Sequence, residues 1–330
     1  TMTSGSLDLS AFTLVIYGTA SFDGGVITNG NIAFVSGSTC TFAGTSLSCG
    51  ITGTMLNVYF NGCTFNNPVT ITRTSATDNT SNGGNTFNSS FSLTNTGTGN
   101  VILSNVSADT YKSDATFSAS NTGLIQVAYT ASGNSFQGGL SFNSTGTSLG
   151  IRLGQNGGTS TLNSGNVLGI GGSGFSVGDL RIKGLTQSGT TAQSLTLTGT
   201  AALYVESGCT FNADVTLSAP QVYLNGATYQ GATSITKTSS GNNQSLGGNT
   251  FNGATTIIGT GSGDFILGVS NPDSFNSTAE FSNSGSGTVF VAHVASGTTL
   301  ADDIEVNSTG SSKGVRFGQS GGTSTLASGK

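Results

Sequence analysis

The sequence contains no Trp, three Pro and one His, and Lys, Arg, Asp and Glu together make up only 7% of its 330 residues. Nucleic-acid binding needs clustered Lys and Arg, and the nine basic residues are scattered, so no nucleic-acid partner is expected. No apolar run reaches the roughly 18 residues of a membrane-spanning helix, so no membrane span is expected. The four Cys form no C-x-x-C pair and no Cys/His cluster, which excludes the usual zinc spacings.

Gly accounts for 52 residues, and Ser, Thr and Asn fill most of the polar positions. Such a composition occurs in disordered low-complexity chains, but those combine few hydrophobic residues with a high net charge. Here hydrophobic residues make up 34% of the chain and the net charge is −5. The regular spacing of the hydrophobic residues therefore favours a folded repeat over disorder.

The segment GGNTFN at residues 83–88 recurs unchanged at 247–252, 164 positions later. Residues 61–166 align with 225–330 without a gap, and 49 of the 106 positions are identical. Before residue 57 we expect a five-residue shift, because Phe42 matches Phe211 best. The chain is thus predicted to contain two superperiods, with equivalent residues 164 positions apart.

A shorter cycle lies inside this period, in which an aromatic residue or Leu follows Thr or Ser at intervals of roughly 23 residues. We call these residues the anchors. The long step from Leu162 to Phe211 predicts a degenerate turn around 187–192 that should match the turn at Phe22. The anchors are Phe22, Phe42, Phe65, Phe87, Tyr111, Phe136, Leu162, Phe211, Tyr229, Phe251, Phe275, Leu300 and Leu326.

Two short strands follow each anchor in the pattern. The positions four and six residues past the anchor are mostly apolar, as at Val69 and Ile71, which indicates a half-buried strand. A second apolar strand follows a Gly- and Asn-rich turn, as at 101–103. Turns this short cannot build their own core, but stacked turns can. The sequence therefore predicts an all-β fold, a right-handed parallel β-helix (β-solenoid) of about 14 rungs of roughly 23 residues.

The Asn that follows the anchor recurs on neighbouring rungs, at Asn66 and Asn88 and again at Asn252 and Asn276. Stacked amides can form a hydrogen-bonded ladder inside the solenoid. The alternative is that these Asn residues adopt turn conformations with positive φ. The Thr or Ser before each anchor should form an outward column. Ice-binding solenoids carry two Thr columns as T-x-T, and the position two before the anchor varies, so ice binding remains a minor alternative.

Cys40, Cys63 and Cys209 are predicted to share the column two residues before the anchor. Cys40 and Cys63 would then lie on neighbouring rungs, at a separation that permits a disulfide. Buried thiols in the core are the favoured state. Cys49 lies in the five-residue insertion, without a partner in its column.

The remaining titratable residues give no catalytic pattern. The single histidine, His293, is replaced by Tyr129 in the other superperiod, which favours a surface substitution. Asp302 and Asp303 are adjacent, so their side chains should diverge rather than face one cleft as glycosidase carboxylates do. No catalytic, metal-binding or cofactor-binding residue is predicted, and the chain is not expected to be an enzyme. Arg152 and Arg316 occupy matching positions and should lie on the solvent face.

The segments GGNTFNG (247–253) and NSTGSSKGVRFGQSGGTSTL (307–326), with their copies 164 positions earlier, resemble the repeats of giant secreted cell-surface adhesins of the Bacteroidetes type. The resemblance implies type IX secretion, an extracellular location at the bacterial cell surface, and adhesion during gliding or prey capture. The scarcity of Lys and Glu beside abundant Thr, Ser and Asn agrees with such a location.

We therefore expect residues 1–330 to form one continuous solenoid segment, excised from a longer array, that acts as the non-catalytic shaft of an adhesive filament. Self-association into a filament or homo-oligomer is expected, and glycans or cell surfaces are the expected contacts. A polysaccharide-binding or polysaccharide-cleaving β-helix protein is the alternative function.

Overall fold

The computed structural model describes residues 1–330 as an all-β chain without helix, in which parallel strands stack into a solenoid. It has about 15 turns of about 22 residues each, which confirms the predicted fold class. The chain divides into two compact units, Thr1–Gly178 and Asp179–Lys330, which we call unit 1 and unit 2. The structure contains no helix that could cross a membrane.

Unit 1 contains the first 21 strands, and unit 2 the remaining 20. The strands of unit 1 are β1 (Ser6–Asp8), β2 (Thr13–Ile16), β3 (Thr19–Asp23), β4 (Val26–Phe34), β5 (Thr39–Ala43), β6 (Ser46–Met55), β7 (Asn57–Asn61), β8 (Thr64–Phe65), β9 (Val69–Arg73), β10 (Asn79–Thr80), β11 (Thr86–Phe87), β12 (Phe91–Asn95), β13 (Val101–Ile102), β14 (Thr110–Tyr111), β15 (Ala115–Ala119), β16 (Ile125–Val127), β17 (Asn134–Phe136), β18 (Leu140–Ser144), β19 (Gly150–Leu153), β20 (Ser160–Leu162) and β21 (Leu168–Phe175). Those of unit 2 are β22 (Asp179–Ile182), β23 (Leu185–Gln187), β24 (Gln193–Thr196), β25 (Ala202–Glu206), β26 (Thr210–Phe211), β27 (Val215–Ala219), β28 (Gln221–Asn225), β29 (Thr228–Tyr229), β30 (Thr233–Lys237), β31 (Asn243–Gln244), β32 (Thr250–Phe251), β33 (Thr255–Gly259), β34 (Phe265–Ile266), β35 (Ser274–Phe275), β36 (Ala279–Asn283), β37 (Val289–Val291), β38 (Ser296–Leu300), β39 (Ile304–Ser308), β40 (Val315–Phe317) and β41 (Thr323–Leu326).

Most rungs consist of three strands in a fixed order, whereas β4 and β6 each combine the first two of these strands. A short anchor strand, such as β8, carries the anchor; a five-residue face strand, such as β9, follows it; and a third strand, such as β10, closes the rung. Each strand pairs in parallel with its equivalent in the next rung, so β8 pairs with β11, β9 with β12 and β10 with β13. Because side chains alternate along a strand, every second residue points into the core.

The anchors stack along the inside of each unit. In unit 1 the ring centroids of Phe65 and Phe87 lie 4.9 Å apart, and those of Phe87 and Tyr111 lie 5.0 Å apart. In unit 2 the rings of Tyr229 and Phe251 stack at 4.9 Å. Burying a ring of this size stabilises a fold by several kcal/mol, so the column accounts for much of the core. The predicted anchors that the register places in these columns are Phe65, Phe87, Tyr111, Phe136 and Leu162 in unit 1 and Phe211, Tyr229, Phe251, Phe275, Leu300 and Leu326 in unit 2.

Phe22 and Phe42 lie outside the anchor column, contrary to the prediction. They belong to the third strands β3 and β5, and the register aligns them with Phe60 of β7. Their rings stack at centroid distances of 5.5 Å for Phe22 and Phe42 and 6.0 Å for Phe42 and Phe60. Unit 1 therefore contains a second aromatic column.

Aliphatic residues hold the anchor position in these early rungs. The column runs from Phe65 to Leu47, Ile27 and Leu7. Leu47 precedes Phe211 by 164 positions, so the long repeat continues here without a gap. The predicted five-residue shift is wrong, because the rung from Leu47 to Phe65 is simply shorter than the others of unit 1.

The degenerate turn between Leu162 and Phe211 contains Gln187, whose register partner is Phe211. Gln187 is fully buried, and its side-chain oxygen accepts hydrogen bonds from the backbone N–H groups of Asn212 at 2.9 Å and Ala213 at 3.0 Å. A satisfied amide can thus replace an aromatic ring in the core. The predicted location is confirmed, but its predicted match to Phe22 is wrong because Phe22 is not an anchor.

The Gly-Gly pair of GGNTFN forms the corner before the anchor strand. Gly83 and Gly84 have φ values of 86° and 78°, and Gly247 and Gly248 have 85° and 78°. These conformations are accessible to Gly at little cost, whereas a Cβ atom makes them unfavourable. The repeated segment therefore encodes a corner.

The Gly83→Ala substitution is expected to lower the free energy of unfolding by about 3 kcal/mol, because a Cβ atom would overlap the carbonyl oxygen of Ser107 in the next rung. The control is Gly62→Ala. Gly62 also has a positive φ, but no atom lies within 4 Å of the place its Cβ would occupy, so a loss of about 1 kcal/mol is expected. Urea denaturation of both variants checks the difference, and equal losses would contradict it.

The Tyr229→Phe substitution is expected to raise the free energy of unfolding by about 1 kcal/mol. The hydroxyl group of Tyr229 is buried without a hydrogen-bond partner, and desolvation raises the pKa of this phenol well above its ordinary value. Tyr223→Phe is the control, since the Tyr223 hydroxyl donates to Gln221 at 2.9 Å and its removal should give no gain. Thermal unfolding of the two variants distinguishes these outcomes.

Candidate binding surfaces and buried polar columns

The Asn residues after the anchors form the predicted rung-to-rung ladders. The side-chain amide of Asn88 donates to the side-chain oxygen of Asn66 at 2.6 Å, and that of Asn276 donates to Asn252 at 2.8 Å. Asn66 continues the ladder to the hydroxyl of Ser48 at 2.8 Å. The ladders lie on the surface and not in the interior, so the predicted internal position is wrong. Each Asn directly follows an inward anchor, and the alternation of side chains places it on the outward side.

The Thr or Ser before each anchor forms an outward column, as predicted. Thr64, Thr86, Thr110, Ser135 and Thr161 are in register on consecutive anchor strands of unit 1. All five are partly exposed. The inward anchor separates each Thr or Ser of this column from the next outward residue, which is Asn66 after Thr64 and Asn88 after Thr86.

The position two residues before the anchor forms a buried polar column that sequence reasoning missed. In unit 1 the side-chain oxygen of Asn85 accepts from the N–H of Cys63 at 3.0 Å, and that of Asp109 accepts from the N–H of Asn85 at 2.8 Å. Asn134 accepts from the N–H of Asp109 at 2.8 Å. Each side chain thus caps a backbone donor of the neighbouring rung, which satisfies groups that would be costly to bury unpaired.

Unit 2 repeats this column, with Thr298 in place of Asn134 and with a different environment for its acid. Asp273 accepts from both the backbone N–H and the side-chain amide of Asn249, at 2.9 Å and 2.8 Å. In unit 1 the other carboxyl oxygen of Asp109 also accepts from the hydroxyl of Ser104 at 2.6 Å, whereas Gly268 stands at the matching position of unit 2. Desolvation raises the pKa of both carboxyls, that of Asp273 to about 6.

Arg73 is a fully buried cation at the end of face strand β9, another feature that sequence reasoning missed. Its guanidinium donates to the side-chain oxygens of Asn57 at 3.2 Å and Asn95 at 3.0 Å, and to the carbonyl oxygens of Gly99 at 2.6 Å and Thr77. Desolvation lowers its pKa. The arginine therefore ties together the turns of consecutive rungs.

Lys237, 164 positions after Arg73, has the same role in unit 2. Its ammonium group donates to the carbonyl oxygens of Ser239 at 2.8 Å and Gly263 at 3.1 Å. Desolvation lowers its pKa, partly offset by Asp264. A basic residue at an inward position in both superperiods was the available sequence signal. These buried cations are structural, because their donors are directed at the protein's own turns.

All four cysteines are free, buried thiols, as favoured from the sequence. The predicted shared column is wrong for Cys40, which lies on β5 in register with Val58 and not beside the anchor strands. Cys63 and Cys209 do precede anchors. Burial raises the pKa of the Cys49 and Cys209 thiols to about 11, so these thiols are not activated nucleophiles.

His293 lies partly buried in unit 2, where its Nε2 is 3.2 Å from the Ser320 hydroxyl and its ring packs edge-on against Phe290 at 4.8 Å. Arg316 lies over the same Phe290 ring, 5.8 Å from its centroid. Arg152 alternates with inward Ile and Leu on β19, so it points outward as predicted. None of these side chains has the partners of an acid–base pair.

Three acidic residues of unit 2, Glu280, Asp303 and Glu305, line a groove of about 450 Å³ on the face strands. Glu280 and Glu305 are register partners, and the Asn307 amide donates to both carboxylates at 3.0 Å. Asp303 also lines the groove, whereas Asp302 pairs with Lys330. Sequence reasoning missed the Glu pair. No group of three His, Cys, Asp or Glu side chains is arranged to hold a metal ion.

The face strands of unit 1 carry two parallel columns of polar side chains, nine Thr or Ser residues and the buried Asn143, which the sequence analysis sought only beside the anchors. Each of β6, β9, β12, β15 and β18 contributes two of these residues, separated by one position that is inward in the last four strands and Gly53 in β6. We call this array the hydroxyl face. Its members are Thr52, Thr54, Thr70, Thr72, Ser92, Thr94, Thr116, Ser118, Ser141 and Asn143.

No protein-family model, curated protein or solved structure matches this chain. The buried polar groups satisfy the fold itself, and the outward columns and the acidic groove are the surfaces open to a ligand. The arrangement offers repeated contact along a regular surface, with no activated nucleophile and no metal-binding cluster.

Proposed function

We propose that this chain is a structural, non-catalytic segment of an extracellular adhesive filament at a bacterial cell surface. The observation that carries the proposal is the in-register parallel stacking of each unit, in which all three strands of a rung continue into the next. Within each unit, backbone hydrogen bonds and the anchor column join every rung to its neighbours. Such a ladder spreads an applied force over many bonds, which suits a shaft.

Adhesion by this segment would come from its outward Thr, Ser and Asn columns. Individual hydroxyl and amide contacts are weak, but repetition along a rigid surface multiplies them through effective concentration. The resemblance of its repeats to giant secreted adhesins supports type IX secretion and a role in gliding or prey capture. The low surface charge supports self-association into a filament or homo-oligomer, since little repulsion opposes lateral contact.

Polysaccharide binding is a second candidate, supported by the groove beside Glu280, Asp303 and Glu305. Glycosidases need one carboxylic acid and one carboxylate across the scissile bond. Here the amide of Asn307 links Glu280 and Glu305 to each other, and no aromatic side chain lines the groove to stack on a sugar ring. The Glu pair therefore lacks the arrangement of a glycosidase, and this groove would contact a sugar through polar groups alone.

The test is immunogold electron microscopy of intact producing cells with antibodies raised against the chain. We expect labels along filaments outside the cell, and we expect antibody fragments to reduce attachment of the cells to surfaces. Label confined to the cell interior would overturn the proposal. Release of reducing ends from a polysaccharide by the purified chain, abolished by Glu280→Gln, would instead assign an enzyme.

A further inference from the structure

The hydroxyl face is a two-dimensional array set by the backbone register. Thr52, Thr70, Ser92, Thr116 and Ser141 are consecutive register partners, and so are the residues two positions later. No bulge interrupts these four pairings. The array therefore repeats at about 4.8 Å between rungs and about 6.6 Å along each strand.

The residues beneath the hydroxyl face hold it in place. Ile71, Leu93, Phe117 and Phe142 lie between the two columns, point inward and are at most 1% exposed. Packing of this kind restricts the strands to one arrangement, so the outward side chains lose little further freedom when a ligand binds.

Most hydroxyl groups of the face are not used by the fold. The exception is at the edge of the array, where the buried Asn143 donates its amide to the Ser118 hydroxyl at 3.0 Å and accepts from the N–H of Ser173 at 3.1 Å. Just beyond the face, the hydroxyl of Thr74 donates instead to the carbonyl oxygen of Met55 at 3.1 Å. The face thus presents a regular set of hydroxyl donors and acceptors to its surroundings.

The composition of the face discriminates among ligands. It carries no charged residue, which disfavours ionic polymers, and no aromatic residue, which disfavours stacking on sugar rings. A second copy of the chain is also disfavoured, because protein interfaces are depleted in Ser and enriched in aromatic residues and Arg. A neutral lattice whose molecules both donate and accept hydrogen bonds fits best, and ice is such a lattice.

We propose that the hydroxyl face of unit 1 binds ice. The Thr hydroxyls take positions in the water lattice, the Thr methyl groups order the water between them, and the repeated array binds through many weak contacts at once. The face ends where Ala33 and Gly169 replace the hydroxyl residues. In unit 2 the matching array runs over only three rungs, from Ser194 to Thr236, before Ile258, Glu280 and Glu305 interrupt it, so unit 1 carries the larger array.

Ice-affinity partitioning of the whole chain tests this inference, with the fraction taken up by slowly growing ice as the readout. We expect the native chain to be taken up by the ice. The Thr94→Tyr variant, which is altered in the central rung, should remain in the liquid. Thr86→Tyr is the matched control, because Thr86 is an outward Thr on an anchor strand away from the face, and it should be taken up like the native chain. Circular dichroism verifies that both variants fold.

The double variant Thr94→Val and Thr116→Val keeps the shape of the face, so it tests the hydroxyls even if Thr94→Tyr fails to fold; we expect reduced uptake. Exclusion of the native chain from ice overturns the inference, as does unchanged uptake of the folded face variants. Binding to crystalline cellulose or chitin through this face, without ice uptake, would assign a polysaccharide instead. The inference is independent of the filament role, because exclusion from ice would leave the immunogold result unaffected.

Discussion

Replacing Arg73 with Met is expected to lower the free energy of unfolding by about 3 kcal/mol. The substitution keeps an apolar side chain in the core but removes every donor to Asn57, Asn95, Thr77 and Gly99. The side-chain oxygen of Asn57 then loses its guanidinium partner, and the turns of two rungs lose their common link. Urea denaturation, followed by circular dichroism, measures the change.

Two further variants make this prediction specific. Arg73→Lys should cost only about 1 kcal/mol, because Lys237 satisfies the equivalent turns of unit 2 with one ammonium group. Lys112→Met removes a basic residue that is exposed and makes no side-chain hydrogen bond, so its effect should stay within about 0.5 kcal/mol. If Arg73→Met and Lys112→Met had equal effects, Arg73 would not be the link between rungs.

Acidification from pH 7 to pH 4 is expected to stabilise the chain through Asp273 by about 2 kcal/mol. Burial raises its pKa to about 6 in the folded state, against roughly 3.9 in the unfolded chain. A carboxyl with a raised folded pKa contributes most below its unfolded pKa, and that contribution is lost as the pH rises through the folded pKa. The free energy of unfolding should therefore fall between about pH 4 and pH 6 and level off above pH 7.

Asp273→Asn isolates this effect from other titrating groups. Asn retains the oxygen that accepts from Asn249 but carries no charge. The free energy of unfolding of the variant should therefore exceed that of the native chain by a margin that grows as the pH rises from 4 to 7. Asp302 provides a contrasting control. Its hydrogen bond with Lys330 lowers its pKa, so its contribution to stability is lost as the pH falls and not as it rises. Urea midpoints at half-unit pH steps check the prediction; a difference independent of pH would contradict it.

The sequence predicts the solenoid well because its core residues recur at regular intervals in short repeated segments. From Phe65 to Leu162 each anchor follows Thr or Ser, and the structure places these anchors in one column. The error at Phe42 has a geometric cause. Phe60 and Phe65 are close in sequence and both point inward, so an earlier Phe could align with either, and only the register shows that it aligns with Phe60.

The functional surfaces are harder to predict because several columns share the same residue types. Thr occurs both before the anchors and on the face strands, and the double column becomes apparent only when Thr70 and Thr72 are placed beside Ser92 and Thr94. The buried role of Arg73 is likewise hard to recognise, since a basic residue in a polar repeat suggests exposure and only its recurrence as Lys237 at the same inward position indicates otherwise. Burial depends on which turns close over the residue, which local sequence does not reveal.

The glycine corners also affect how such a chain can change in evolution. The rung from Leu47 to Phe65 is short and the rung from Phe136 to Leu162 is long, yet the strands between corners keep their register. The turns between the strands absorb these differences in length without shifting a side chain to the opposite side of the sheet. Gene duplication or loss in blocks of whole rungs therefore preserves the core, and the length of the array can vary between descendants while its cross-section stays the same.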